Sequence, residues 1–165
     1  MKNHLVATII LLTAPFFLAS CVSSLLKEKA PTFSNEVNFK PPGLPFAKLN
    51  QSVYPSWKNK ATGNVLSIFS DCQSDNSISL SDLLRIIEDS VENSKKVSEN
   101  NLTFQSKPAL QRVIRGELDN NPIQIKSTAF KKMNCGYVVS LSGKPDHLQL
   151  DEKALETFTQ SLNFK

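Results

Sequence analysis

Cysteine and histidine carry the most versatile side-chain chemistry in this 165-residue chain, and it has few of either: Cys21, Cys72, Cys135, His4 and His147. A cysteine attacks a carbonyl when a neighbouring histidine takes its proton. His147, with Asp146 beside it in "GKPDHLQ", is therefore the candidate base for a Cys72 or Cys135 nucleophile. Nothing in the spacing brings these residues together, and the plain reading of His147 is a solvated loop residue. Cys72 and Cys135 stand too far apart for a C-x-x-C redox or zinc motif. Asp71 and Asp75 in "SDCQSDNS" offer oxygen ligands for calcium, but the D-x-D-x-D-G spacing of a calcium loop is missing. A polar strand-to-helix loop accounts for them. Glu88 and Glu92, four apart on a helical pattern, read as a solvated helix face rather than an acid–base pair. Phosphate-loop, nucleophile-elbow and zinc-protease motifs are missing, and neither a metal nor a cofactor is expected.

Cys21 sits in a different context. Met1-Lys2-Asn3-His4 is a short positive lead, and Leu5 to Ala19 is an apolar run shorter than the ~20 residues that span a bilayer. Pro15 interrupts it, which a core helix resists. The run ends Leu18-Ala19-Ser20-Cys21, and this resembles the lipobox of bacterial lipoproteins: an aliphatic residue, two small residues, then cysteine. The resemblance implies cleavage before Cys21 and fatty acylation of that residue, leaving a mature chain from Cys21 to Lys165. The other reading is a core helix that ends at a chance cysteine. Two or more acyl chains hold a protein on a membrane almost permanently, at about 0.8 kcal/mol per buried CH₂. Val22 follows the cysteine; in enterobacterial lipoproteins an Asp there favours the inner membrane. Its absence implies an outer-membrane anchor facing the periplasm.

The mature length is that of one domain with a real core. The formal charge is +4, and its basic residues are scattered without aromatic interleaving, which speaks against nucleic-acid binding. For an exported chain, the two remaining cysteines meet an oxidising compartment, where an even pair usually becomes a disulfide; the alternative is two buried free thiols.

The elements follow from periodicity. Residues 22–34 read as a polar tether. Val37 and Phe39 mark a brief strand, and Pro41, Pro42 and Pro45 keep the next stretch at a sheet edge or on the surface. Thr62-Gly63-Asn64 is a turn before a strand at Val65–Ser70, in which Leu66, Ile68, Ser70 and Cys72 share a face. Leu80, Leu83, Leu84, Ile87 and Val91 form a helical apolar stripe, with Ser79 and Asp82 as its capping box. From Val97 onward an antiparallel meander is expected, turning at Asp119–Pro122 and Lys131–Asn134 and ending in "CGYVVSLSG". Cys135, Tyr137, Val139 and Leu141 share a face there, so both cysteines lie on apolar faces of their strands. A closing helix, "LDEKALETFTQSLNF", buries Ala154, Leu155, Phe158 and Leu162.

This order, with Trp57, "GNVLSI", "CGYVVSL" and the final "FTQSLNF", resembles the PsbP-like superfamily, which takes in photosystem II extrinsic proteins and small lipoproteins of the DcrB kind. The resemblance implies an α+β fold, an antiparallel sheet between helical layers in an α/β/α arrangement, serving as a binding or assembly module. It carries no catalytic residues onto this chain. The expected organisation is a signal peptide at 1–20, a lipidated tether at 21–34 and the domain at 35–165. Lone tryptophans usually pack in cores, but Trp57 with Tyr54 also makes a candidate recognition patch, away from the tether. The expected function is a membrane-anchored, non-catalytic envelope module with a protein or envelope-component partner. A small envelope hydrolase or ligand-binding enzyme using His147 is the alternative.

Overall fold

The computed structural model describes residues 33–72 and 78–165. The expected signal peptide, Cys21, most of the expected tether and Asp75 lie outside the described residues. In chain order the elements are β1 (Val37–Asn38), β2 (Phe46–Lys48), β3 (Ser56–Asn59), β4 (Val65–Asp71), α1 (Leu80–Glu88), β5 (Glu92–Phe104), β6 (Lys107–Leu118), β7 (Asn121–Lys132), β8 (Cys135–Gly143), α2 (Pro145–Leu148), α3 (Glu152–Gln160) and β9 (Asn163–Phe164). Among the described residues, no helix is long and apolar enough to cross a membrane.

Seven strands form one antiparallel sheet in the order β2-β3-β4-β8-β7-β6-β5. The three hairpins from β5 to β8 turn on two residues each: Gln105-Ser106, Asp119-Asn120 and Met133-Asn134, all with φ between 46° and 62°. Two consecutive positive φ values match the right-handed twist of the flanking strands, and Asn tolerates them best after Gly. A separate pair, β1 with β9, ties the two ends of the domain together.

Alternation along β8 sorts the core into two layers. Tyr137, Val139 and Leu141 join Leu66 and Ile68 of β4 beneath Leu155 and Phe158 of α3. Val138 and Ala129 face the other way, beneath Leu83 and Leu84 of α1. The result is helix, sheet, helix, the α+β arrangement with an α/β/α cross-section. Gly136 allows α1 to come this close: a Cβ there would lie 2.7 Å from both Leu83 methyl carbons. At the start of α1, the Ser79 hydroxyl accepts from the Asp82 amide at 3.0 Å and Asp82 accepts from the Ser79 amide at 3.2 Å. The capping box forms as expected, and its Ser79 hydrogen bonds hold the Asp82 carboxyl below its ordinary pKa.

Four sequence expectations are corrected. The first helix ends at Glu88, so Val91 is buried beyond it, against Ile114 and Ile125. Glu92 opens β5, five residues before Val97, and so shares no helix face with Glu88. The closing helix stops at Gln160, because Asn163 and Phe164 pair with β1. Ser34, expected at the end of a polar tether, is buried in the domain; its amide donates to Ser70 Oγ at 2.8 Å and its hydroxyl accepts from Tyr137 at 3.2 Å. Burial pushes the Tyr137 phenol up, outweighing that hydrogen bond.

The outer half of the sheet is held to α1 by one cation. Arg112 of β6, 7% exposed, donates to Glu99 of β5 at 2.6 Å, to Glu88 of α1 at 2.9 Å and to Ser81 at 2.8 Å. Hydrogen bonds from Arg112 and then Lys96 hold the Glu99 carboxyl below its ordinary pKa. A lowered folded pKa stabilises the native state above the ordinary glutamate range, and that contribution is lost as pH falls through and below it. Arg112→Met should cost about 3 kcal/mol at neutral pH, because two carboxylates lose their cation. In urea titrations the variant should also lose less stability than the parent on acidification; a parallel loss would contradict the assignment.

Candidate functional site

The two cysteines meet at one end of the β4–β8 pair. Asp71 lies opposite Gly136, which carries Cys72 and Cys135 to the same edge. Their sulfurs are bonded, with Cα atoms 4.1 Å apart and a sequence separation of 63. Cys135 is buried and Cys72 exposed.

His147 sits at the other end. It is not a loop residue, because Pro145 opens the one-turn helix α2 around it. Its Nδ1 lies 3.1 Å from the Thr62 carbonyl oxygen, which can only accept, so Nδ1 carries the proton. The disulfide and His147 lie near opposite ends of β8, about 26 Å apart at ~3.3 Å per residue, and both thiols are in the bridge. The nucleophile–base pair of the hydrolase reading is not assembled. Among the described residues no three His, Cys, Asp or Glu side chains cluster tightly enough for a metal ion.

Around His147 the structure builds a polar knot that the sequence did not reveal. Asp151, 7% exposed, accepts from Asn59 Nδ2 at 2.8 Å, Thr62 Oγ1 at 2.6 Å and Asn64 Nδ2 at 2.8 Å. Asn64 Nδ2 also donates to the His147 carbonyl at 2.8 Å. Thr62-Gly63-Asn64 looks like any turn in sequence, and Asp151 like a helix-capping residue. Asp151 caps nothing with its side chain; it ties the β3–β4 turn to the start of α3. Gly143 keeps the knot closed, since a Cβ there would lie 1.8 Å from Asn64 Oδ1.

Trp57 and Tyr54 are brought together, though not as an exposed patch. Trp57 is 5% exposed because β3 turns it toward α3, where it meets Phe158 at 5.3 Å and Phe39 edge-on at 5.6 Å. Tyr54 is half-buried, its ring edge-on to Phe69 at 5.1 Å. Burial, then the charge of Asp71, pushes its phenol up. Both residues line a surface cleft of about 450 Å³ with Phe33, Phe39, Leu49 and Val53. Phe33, the first described residue, forms part of its wall.

Solved structures share this architecture. Cyanobacterial PsbP from Synechocystis matches over 90% of this chain and 99% of its own, with 11% identity and a TM-score of 0.54. The fold is PsbP-like. A protein of unknown function from Pseudomonas aeruginosa has the same fold over 85% of this chain and 89% of its own, at 12% identity and a TM-score of 0.53. LpqN of Mycobacterium tuberculosis, involved in cell envelope biogenesis, aligns over 82% of each chain at 9% identity, with a TM-score of only 0.40. No protein-family model and no curated protein matches the sequence.

Within the PsbP-like fold of this chain, the disulfide and the Asp151 knot clamp opposite ends of β4 and β8, and each clamp can be removed alone. Replacing both Cys72 and Cys135 by serine should destabilise the domain by up to about 4 kcal/mol in denaturant titration, the chain-entropy cost of freeing a loop this long. Asp151→Ala should cost about 3 kcal/mol, because three donors lose a buried acceptor. An effect below 1 kcal/mol would show that water takes its place.

Proposed function

We propose that this chain is a bacterial envelope lipoprotein: a non-catalytic PsbP-like module anchored by acylated Cys21, on the outer membrane facing the periplasm, that binds a protein or another envelope component. The observation that carries the reading is Leu18-Ala19-Ser20-Cys21, behind an apolar leader and only twelve residues before Phe33, where the described fold begins. In extended form twelve residues reach about 40 Å, which keeps such a domain near the bilayer it is anchored to. The PsbP-like fold supports a module without shared catalytic machinery. So does the isolation of His147 from both cysteines.

The partner's side of the module is the far end of the sheet. Six strand spacings of ~4.8 Å put β5 about 29 Å from β2. β5 is an edge strand of 13 residues, exposed along nearly all its length. Its first half carries Lys95, Lys96 and two register shifts, devices that block indiscriminate strand pairing. From Ser98 to Phe104 the edge runs regularly and is open to an extended segment of a partner.

Intact mass of the mature protein should give a chain starting at acylated Cys21, and Cys21→Ser should release the domain from the membrane fraction. An unprocessed Met1 would refute the anchor. In-cell crosslinking of tagged protein, read by mass spectrometry, should capture a specific and repeatable partner. Its absence from folded, acylated protein would refute the assembly reading.

A further inference from the structure

Between Glu36 and Asp71 the sequence has no acidic residue at all, while Lys40, Lys48, Lys58 and Lys60 fall within that stretch. Those four lysines equal the whole formal charge of +4, so the rest of the chain is neutral in balance. In linear sequence they look scattered. The fold brings them to one edge of the sheet, because this stretch builds β2, β3 and the loops around them, opposite β5; the register sets Lys48 and Lys58 on the two faces of that edge. All four are exposed, and none forms an ion pair with a described residue. Lys153 of α3 adds a fifth cation over the neighbouring cleft that Lys40 and Leu44 line. Of the acids at and in α3, Asp151 reaches that cleft but is buried and held by its three donors, Glu152 pairs with Lys126 at 2.9 Å, and Glu156 lines the cleft on the β5 side.

The same edge carries the two most exposed large apolar side chains described. Leu44 is 97% exposed and Val53 69% exposed, one at each end of β2. Tyr54 and Trp57 sit behind Val53, in the cleft that Phe33 also lines. Exposed apolar tips flanked by aromatic rings and lysines match the layered chemistry of a membrane surface, with its acyl boundary, headgroup belt and anionic phosphates.

We propose that the β2 edge is a membrane-docking face. Leu44 and Val53 enter the interface of an anionic bilayer, while Lys40, Lys48, Lys58 and Lys60 lie against its headgroups. The proposal rests on the anchored reading for its biological setting, and it orients the anchored domain, with β2 on the lipid and β5 facing away.

The test uses a chain without the anchor, Val22–Lys165, since Pro31–Lys165 is a compact unit holding every described core residue. The probe is co-sedimentation with vesicles of phosphatidylglycerol and phosphatidylethanolamine, against phosphatidylcholine vesicles. Binding should favour the anionic vesicles and weaken with salt. Lys40→Glu with Lys48→Glu should weaken it at least about tenfold, and Leu44→Ser with Val53→Ser several-fold, without moving the unfolding temperature. Lys95→Glu with Lys107→Glu, the same charge change at the β5–β6 hairpin, should leave binding within about twofold. Equal losses from both lysine pairs, or no preference for anionic vesicles, would overturn the proposal. Because this chain carries no lipid, the result is independent of acylation: binding here alongside an unacylated Cys21 in cells would refute the anchor and leave the docking face standing.

Discussion

The fold depends on the pairing of β4 with β8. Seven residues of each strand run antiparallel from Val65 opposite Ser142 to Asp71 opposite Gly136. Among the described residues, this ladder joins β2 and β3 to the long C-terminal meander, across more than sixty residues of intervening chain. Closing so large a loop is unfavourable before any contact forms, at a cost that grows with the logarithm of loop length. The molecule offsets it in two ways. β8 is buried on both faces, so each of its residues from Cys135 to Leu141 gains a packed neighbour above or below. Both ends of the ladder are also cross-linked, covalently by Cys72–Cys135 and by hydrogen bonds through Asn64 and Asp151.

That arrangement explains the shape of the rest. A strand buried on both sides needs two covers, and α1 and α3 are short helices of nine residues each. Neither reaches across seven strands. The meander strands therefore lose burial toward β5, and a different interaction takes over there: Arg112 pulls Glu99 and Glu88 together where apolar cover runs out. Such a pair adds little net stability over an apolar substitute, but it fixes where α1 sits over β6.

The features most legible in the sequence were those decided by local chemistry. The capping box at Ser79, the two-residue turns rich in Asn, and the apolar run of β8 each follow from neighbours along the chain. The misreadings share a different cause. Val91 continues a helical stripe in sequence, yet Gly116 lies against it and the chain has already left the helix. Phe164 looks like the end of a helix, but its ring packs on Tyr137 at 5.0 Å and its backbone pairs with Val37. Trp57 packs in the core, the commoner of its two readings, and the exposed patch is the reading that fails. In each case a tertiary contact overrode a local pattern. Asp151 was illegible for the same reason, since its three donors come from residues 87 to 92 positions earlier.

The two edges of the sheet complete the logic. An edge strand exposes unpaired backbone groups and must be protected or used. At β5 the protection is partial, with bulges and lysines along the first half and a regular run from Ser98 to Phe104. At β2 the solution is different. The strand is only three residues long, and prolines flank it. Nothing about strand pairing requires the loops beside it to expose Leu44 and Val53, nor an acid-free stretch of chain to carry them. A soluble surface far from any partner is normally mixed in sign, with apolar residues scattered singly. An edge that combines one sign of charge with two bared aliphatic tips is what the proposed lipid contact explains. On that proposal the asymmetry of the sheet has one origin: the β2 edge is shaped to lie on lipid, and the β5 edge is left for whatever the module meets.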